Sequence, residues 1–393
     1  MKKLLIDYRI IEPFPTGLGS HFLNLTGNLI GRYRSSLSIV IVVTDRNKDY
    51  VKQELERISG TKFNRNIEVK VINIPVSSIM NYILFPYIFF IYRKINPDVI
   101  LTDPWSVLLI MPKRYILMIY DLIGFNLKND ISLKQKIYDK FIYSWVAKRA
   151  YRIIASTVSG KNDINKFLHI KSEVIKVISP SISEDYKREL DSKFISDTLE
   201  KYRLNNKRYI CYLGNRRPHK NMIFALNVLK ELDENISLVV IGHVDVVGKR
   251  VGKSNNINLE DVINDTYIAL KDRVILLGRI ESNIEVKAIL SKSICLVHPS
   301  KFEGFGLTPL EALSSGTPVI TSNIQVLKEA IGKTQIVLNT NPDDIEKWVE
   351  CIERYSFDAK YREEAVSRGR SEITKYSWSK SAKKLFYCIS LGD

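Results

Sequence analysis

Residues 295–323 read CLVHPSKFEGFGLTPLEALSSGTPVITSN. The apolar runs 294–297 and 318–321 have the length and composition of buried strands in a sheet covered on both faces. Between them, His298-Pro299-Ser300 leads into Glu303-Gly304-Phe305-Gly306, and a helix is expected from Thr308 to about Ser315, ending at Gly316. Thr308 suits an N-cap, Pro309 the first helical position, and Glu311 stands where a capping-box carboxylate sits. Gly304 and Gly306 let the backbone approach a ligand, and the helix start behind them offers unpaired N–H groups carrying partial positive charge. The implied ligand is an anion.

Two carboxylates, Glu303 and Glu311, flank this anion cradle. A carboxylate beside a bound phosphate is repelled by it, so the pair suits sugar or ribose hydroxyls, with an ordinary capping glutamate as the alternative for Glu311. The E-x7-E frame inside HPSKFEGFGLTPLEALSSGTPVI resembles the donor-binding signature of retaining glycosyltransferases of family 4, which have the GT-B fold. That resemblance implies that Glu311 holds the ribose of a nucleotide sugar and Glu303 contacts the transferred sugar. Gly304, Phe305, Gly306, Leu307 and Thr308 would form the donor loop, the amides around Gly306 and Leu307 meeting the diphosphate.

A second anion site is expected where the strand 209–213 ends in GNRRPHKN, residues 214–221, ahead of a helix from about 220 to 232. A glycine turn, clustered cations and a helix start are the ingredients. The loop resembles the family's Gly-x-x-x-Pro-Arg-Lys-Asn segment, whose basic pair neutralises a leaving diphosphate. Gly214 and Lys220 match. The family arginine is His219 here, so its charge is expected from Arg216 or Arg217, unless these are solvated loop residues.

In the first half, the strand 4–7 leads into Phe14-Pro15-Thr16-Gly17-Leu18-Gly19-Ser20-His21, then an apolar helix over about 22–30. Gly17, Leu18 and Gly19 resemble the family's glycine-rich acceptor-domain loop, which passes close to the diphosphate; His21 reads as a helix-face residue. The strand 115–120 ends in Tyr120-Asp121-Leu122, where relatives carry His-Asp-Leu. A phenol donates a hydrogen bond but does not titrate near neutral pH, so Tyr120 is not expected to act as a base. Asp121 either accepts the acceptor's proton or caps the next turn. Glu303, Lys220 and Asp121 are the expected catalytic residues. The segment 133–152 reads as a helix interleaving Lys and Arg with aromatics, which suits a membrane surface or a helix with a solvated basic face.

With 393 residues the chain is long for one core and comfortable for two. Strand-length apolar runs alternate with helical patterns, at 4–7, 39–44, 67–72, 99–101, 115–120, 152–155 and 174–178, then at 209–213, 238–241, 274–276, 294–297 and 318–321. The expectation is an α/β chain of GT-B type, two doubly wound Rossmann-like domains with parallel sheets facing across a cleft. An acceptor-binding domain covers 1–185, a nucleotide-sugar domain 200–375, a polar linker 180–200, and a last helix within 376–393 crosses back to the first domain.

Residues 1–190 carry 29 Lys and Arg against 17 Asp and Glu, net +12, whereas 191–393 carry 30 against 26, net +4. A basic first half calls for an anionic partner, such as an anionic membrane surface or a lipid-linked diphosphate, unless it reflects composition bias. Four scattered cysteines argue for a reducing compartment and against a disulfide framework or zinc site. The N-terminus reads as a strand rather than a signal peptide, and the longest apolar run, 82–92, is too short to span a bilayer. The expected location is cytoplasmic, peripheral to the inner membrane face. No motif marks a metal, a dinucleotide or a P-loop, and no cofactor or divalent ion is obligatory. The resemblance implies retaining transfer of a sugar, with GDP-mannose as the expected donor. The acceptor would be a polyprenyl-diphosphate-linked oligosaccharide or another glycan used in surface-polysaccharide synthesis; nucleic acid is not an expected partner. A GT-B nucleotide-sugar epimerase, a basic nucleic-acid-binding protein and a non-catalytic sugar-nucleotide binder stay open.

Overall fold

The computed structural model describes residues 1–12, 17–63, 66–74, 76, 83–107, 110–126, 133–215, 217–242, 266, 268–332 and 335–390. The chain forms two compact units, one of Met1–Asn126, Ile131–Ser181 and Tyr376–Asp393, the other containing Ile182–Lys375.

The first unit holds β1 (Lys2–Asp7), β2 (Leu37–Val43), β3 (Ile67–Val71), β4 (Val99–Thr102), β5 (Tyr115–Ile119), β6 (Arg152–Ala155) and β7 (Ile175–Val177). They pair in parallel in the order β3-β2-β1-β4-β5-β6-β7. Because successive side chains point to opposite faces, Leu4 and Ile6 enter one core with Phe22 and Leu29, while Leu5 enters the other with Ile88 and Tyr92. Each fully buried aliphatic chain contributes about 1.5–3 kcal/mol, so a sheet covered on both faces demands the unbroken apolar runs seen in β4 and β5.

The C-terminal helix Trp378–Ser390 packs in this unit against the helix Gly17–Tyr33, with Tyr33 and Phe386 stacked at 4.0 Å. Lys2 Nζ donates to Ser390 O at 2.8 Å, placing a cation at the negative end of the helix dipole.

The second unit holds β8 (Arg208–Leu213), β9 (Ile236–Ile241), β10 (Val274–Gly278), β11 (Leu296–His298), β12 (Val319–Ser322) and β13 (Ile336–Leu338), parallel in the order β10-β9-β8-β11-β12-β13. In both sheets the strand order reverses once, between β1 and β4 and between β8 and β11. Ligands of open parallel sheets bind outside the strands' carboxyl ends at such switch points.

Several expectations need correction. The edge strand β13 was not expected; it is three half-buried residues long. The segment 180–200 is not a bare linker, because a 3-10 turn at Glu184–Lys187 and a helix at Ser192–Lys201 belong to the second unit. Asp191 caps that helix by accepting from Lys193 N at 3.1 Å, and Lys201 and Tyr202 both reach Glu285. Gly17, Leu18 and Gly19 form the first turn of a helix and not a loop, while Phe14, Pro15 and Thr16 lie outside the described residues. The basic helix ends at Ala147, and Arg152 starts β6. Among the described residues no helix is long and apolar enough to cross a membrane.

Candidate functional site

The carboxyl ends of β8 and β11 place two loops side by side. After β8 the chain turns at Gly214, forms a 3-10 turn at Pro218–Lys220, and passes through Asn221 at φ 55 before the helix Met222–Glu231. This is later than the helix expected from Lys220, because the left-handed Asn221 interrupts it. Tyr212 Oη donates to the carbonyls of Asn215 and Lys220 at 3.3 and 3.2 Å, so a buried β8 side chain staples the loop. Gly242, after β9, has φ 146, and a Cβ there would lie 2.1 Å from Gly214 O. Only glycine permits that approach.

The second loop is tied to the first. Lys301 N donates to His219 O at 2.7 Å and Asn221 Nδ2 to Pro299 O at 3.2 Å. These bonds present Glu303 to Lys220, whose Nζ stands 2.7 Å from Oε1 and 3.0 Å from Oε2, and His298 Nε2 lies 2.8 Å from Oε1. Burial alone would raise the Glu303 carboxyl, but the Lys220 ammonium and the His298 contact hold it well below the usual carboxylate range. His298 was not among the expected site residues; its place five residues before Glu303 at a strand end was the available signal.

The helix Leu307–Ser314 is capped by Gly306 at φ 104, not by Thr308, which falls within its first turn. The left-handed glycine turns the chain into the helix without a side-chain cap, so the expected capping box does not form. No hydrogen bond or ion pair reaches the Glu311 carboxyl among the described residues. Burial pushes that carboxyl up to about 7, with Lys220 opposing the rise. The Tyr186 phenol lies within the electrostatic field of Glu311, and Tyr186 O accepts from Ser314 Oγ at 2.8 Å. Phe305 is buried, and Gly304, Leu307 and Thr308 are half-buried around the helix start.

A Cβ on Gly306 would stand 2.7 Å from Leu327 Cδ2. Gly306→Ala is therefore expected to cost about 2 kcal/mol from backbone strain plus overpacking, read as a lower urea midpoint. An unchanged midpoint would show that the turn tolerates a side chain.

Of the two arginines, Arg217 is exposed, its N–H donating to Asn215 Oδ1 at 3.2 Å, and Arg216 lies outside the described residues. His219, at the family arginine's position, is buried.

The first unit has its own cavity, about 180 Å3, at the carboxyl ends of β1, β4 and β5. Its walls include Glu12, Asp103, Trp105, Tyr120, Asp121 and Tyr143, with Leu18 and Gly19 from the first helical turn. Asp103 was missed from sequence. Its carboxylate accepts from Trp105 N at 2.8 Å and Ser106 Oγ at 2.5 Å, and burial pushes it up to about 6. Asp121 Oδ1 accepts from Ile123 N at 3.1 Å, so it caps the next turn while lining the cavity. Burial raises the Tyr120 phenol well above its ordinary value, leaving it a hydrogen-bond donor. Behind this wall, Asp7 and Arg9 form a buried ion pair at 2.8 Å, and Tyr92 Oη donates to Asp7 at 2.6 Å. No group of three or more His, Cys, Asp or Glu is placed to hold a metal among the described residues.

Two parallel doubly wound α/β units, with a cation, carboxylates and a glycine-capped helix gathered at one switch point, define a protein of the GT-B fold. Residues 195–372 match the family model described as Glycosyl transferases group 1. The O-antigen chain mannosyltransferase RfbU of Salmonella typhimurium is 30% identical over 248 residues, which are 63% of this chain and 62% of that protein. The serotype-specific mannosyltransferase WbdA of Escherichia coli is 27% identical over 242 residues, 60% of this chain and 28% of its own. The chain thus spans about three fifths of the first relative and under a third of the second. Among solved structures, Anabaena HepE in complex with UDP and glucose superposes with a TM-score of 0.74 at 14% identity, covering 99% of this chain and 100% of that one. WaaG, a glycosyltransferase involved in lipopolysaccharide biosynthesis, gives 0.71 at 15% identity with 99% and 100% coverage. At such identities the likeness is one of fold.

Proposed function

We propose that the protein is a retaining mannosyltransferase that moves mannose from GDP-mannose to a hydroxyl of a lipid-linked oligosaccharide during O-antigen or related surface-polysaccharide assembly. The observation that carries this reading is the gathering of Lys220, Glu303, Glu311 and the Gly306 helix start at the β8/β11 switch point. Lys220 and the amides around Gly306 meet the diphosphate, whose negative charge grows as the glycosidic bond breaks. Glu311, lacking a protein partner among the described residues, is left to accept from ribose hydroxyls. Charge on the leaving group is handled by protein groups, so the reaction as proposed needs no divalent ion.

Glu303 orients the transferred sugar. A carboxylate held far below its usual range and engaged by Lys220 and His298 is a weak nucleophile. That supports same-face attack by the acceptor on an oxocarbenium-like species over a covalent glycosyl intermediate. The acceptor's sugar end is assigned to the first-unit cavity, whose aromatic faces and carboxylates suit a hydroxyl-rich ring. The mannose assignment draws on the relatives' names, and the lipid-linked acceptor at the cytoplasmic membrane face draws on the basic first half.

Thermal-shift screening against GDP, UDP, dTDP, ADP and their sugars tests the donor site, since a ligand that binds only the native state stabilises it by mass action. GDP and GDP-mannose should raise the midpoint in the native chain and not in Glu311→Ala. A shift with another nucleotide series would replace the donor; no shift with any would remove the donor-site reading.

A further inference from the structure

A groove of about 400 Å3 lies in the first unit between the edge strand β7 and the C-terminal helix. Its walls carry three cations, Arg152 from β6, Lys176 from β7 and Lys384 from the helix, with Tyr387 and Cys388, and no carboxylate. None of the three cations makes an ion pair among the described residues. Arg152 is held in place: its guanidinium lies 4.4 Å over the Tyr151 ring and Nη1 donates to Tyr151 O at 3.1 Å. Such anchoring reduces the side-chain entropy lost on binding and leaves the other N–H groups of the fork for a ligand. Lys176 and Arg152 both lie near enough to Cys388 to oppose the burial that pushes its thiol up.

Three like charges around one concavity repel each other at every separation. Some cations elsewhere on this chain face a carboxylate, as Lys201 does with Glu285 and Lys187 with Glu184. Here no carboxylate stands among the described lining residues, and a concave wall of one sign focuses its field on an anion. A planar fork beside two ammonium groups matches the oxygens of a phosphate better than a single carboxylate.

We propose that the groove formed by Arg152, Lys176 and Lys384 is a second anion site, built on the edge of the first sheet, that binds a phosphate-bearing group. The phosphate belongs either to a soluble phosphate compound or to a phospholipid headgroup. This site is independent of the nucleotide-sugar residues and stands whether or not the donor assignment does.

Cys388 supplies the reporter. Its rate of alkylation by N-ethylmaleimide, followed by peptide mass spectrometry on the full chain, should fall about tenfold with pyrophosphate at ten times its dissociation constant. Sodium chloride at matched ionic strength should leave the rate unchanged. Vesicles of phosphatidylcholine with phosphatidylglycerol, against phosphatidylcholine alone, form the second arm; protection there without protection by pyrophosphate assigns the lipid source, and the reverse assigns the soluble one. Lys176→Gln with Lys384→Gln, and separately Arg152→Gln, should abolish protection while leaving any nucleotide-induced thermal shift intact. Equal protection in these variants or by chloride, or no protection in either arm, would overturn the proposal.

Discussion

Lys220→Ala is expected to lower turnover by about 10²- to 10³-fold, the scale seen when one preorganised charge-stabilising group is removed from a transition state. It is also expected to lower the unfolding free energy by about 2–4 kcal/mol. That second loss arises because Glu303 stays buried with its cation gone, and breaking one side of a buried pair costs about 3–5 kcal/mol. The figure is reduced because the two side chains keep 20% and 11% exposure, and solvent screens what remains. The pH dependence has a definite sign. Glu303's carboxyl is depressed in the folded protein, so its stabilisation is present above the ordinary carboxylate range and is lost on acidification. In Lys220→Ala this acid-sensitive part should shrink. Lys220→Ala combined with Glu303→Gln should regain stability at neutral pH without regaining turnover, because the orphaned charge is removed and the diphosphate remains unmet. Urea unfolding and steady-state rates separate the two effects. Native-like unfolding of Lys220→Ala would show that solvent already satisfies Glu303, and native-like turnover would mean that other cations, such as Arg217, meet the leaving group.

Much of this arrangement was legible in the chain, and the parts that were not share physical causes. Buried parallel strands such as Tyr115–Ile119 announce themselves because both faces are covered. Ile336–Leu338 does not, since three half-buried edge residues carry no period. The helix at Ser192–Lys201 was hidden by its polarity; it buries only Thr198 outright and is fixed by its Asp191 cap and by side chains reaching Glu285. The choice between Thr308 and Gly306 as cap turns on a backbone angle, and both residues are acceptable caps by composition. Glu303 and Lys220 were singled out separately, but their mutual contact is a consequence of the β8/β11 crossover, which joins residues 83 positions apart. Asp103, Trp105 and Glu12 form a wall only after β1 and β4 become neighbours. The basic excess of the first half was visible as a count. The grouping of two of its cations, Arg152 and Lys176, with Lys384 from the second half required the C-terminal helix to lie beside β7.

Donor binding should strengthen as pH rises through about 7, and Glu311→Gln should remove that dependence. Burial holds the unliganded Glu311 carboxyl at about 7, up from its ordinary 4.5. Ribose hydroxyls donate, and an ionised carboxylate accepts more strongly than a neutral acid. Below pH 7 the site must first lose a proton, so affinity should fall about tenfold per pH unit, with a proton released on binding. Calorimetry in two buffers of different ionisation enthalpy reads that proton directly. The stability of the unliganded protein moves the other way. A carboxyl raised by burial binds a proton in the native state that the unfolded chain has given up, so its contribution is lost as pH rises from about 4.5 through about 7. The loss is at most about 3 kcal/mol, and less in practice because the side chain is only half-buried. Glu311→Gln should therefore be more stable than the native chain at pH 8 while binding donor more weakly. A glutamate kept for capping its helix would give the opposite pair of results, losing stability on substitution with no pH-dependent change in donor affinity. The structure already weighs against that role, because Gly306 occupies the cap and Glu311 makes no capping bond. A residue whose replacement strengthens the fold and weakens the ligand is held in place by the ligand's chemistry.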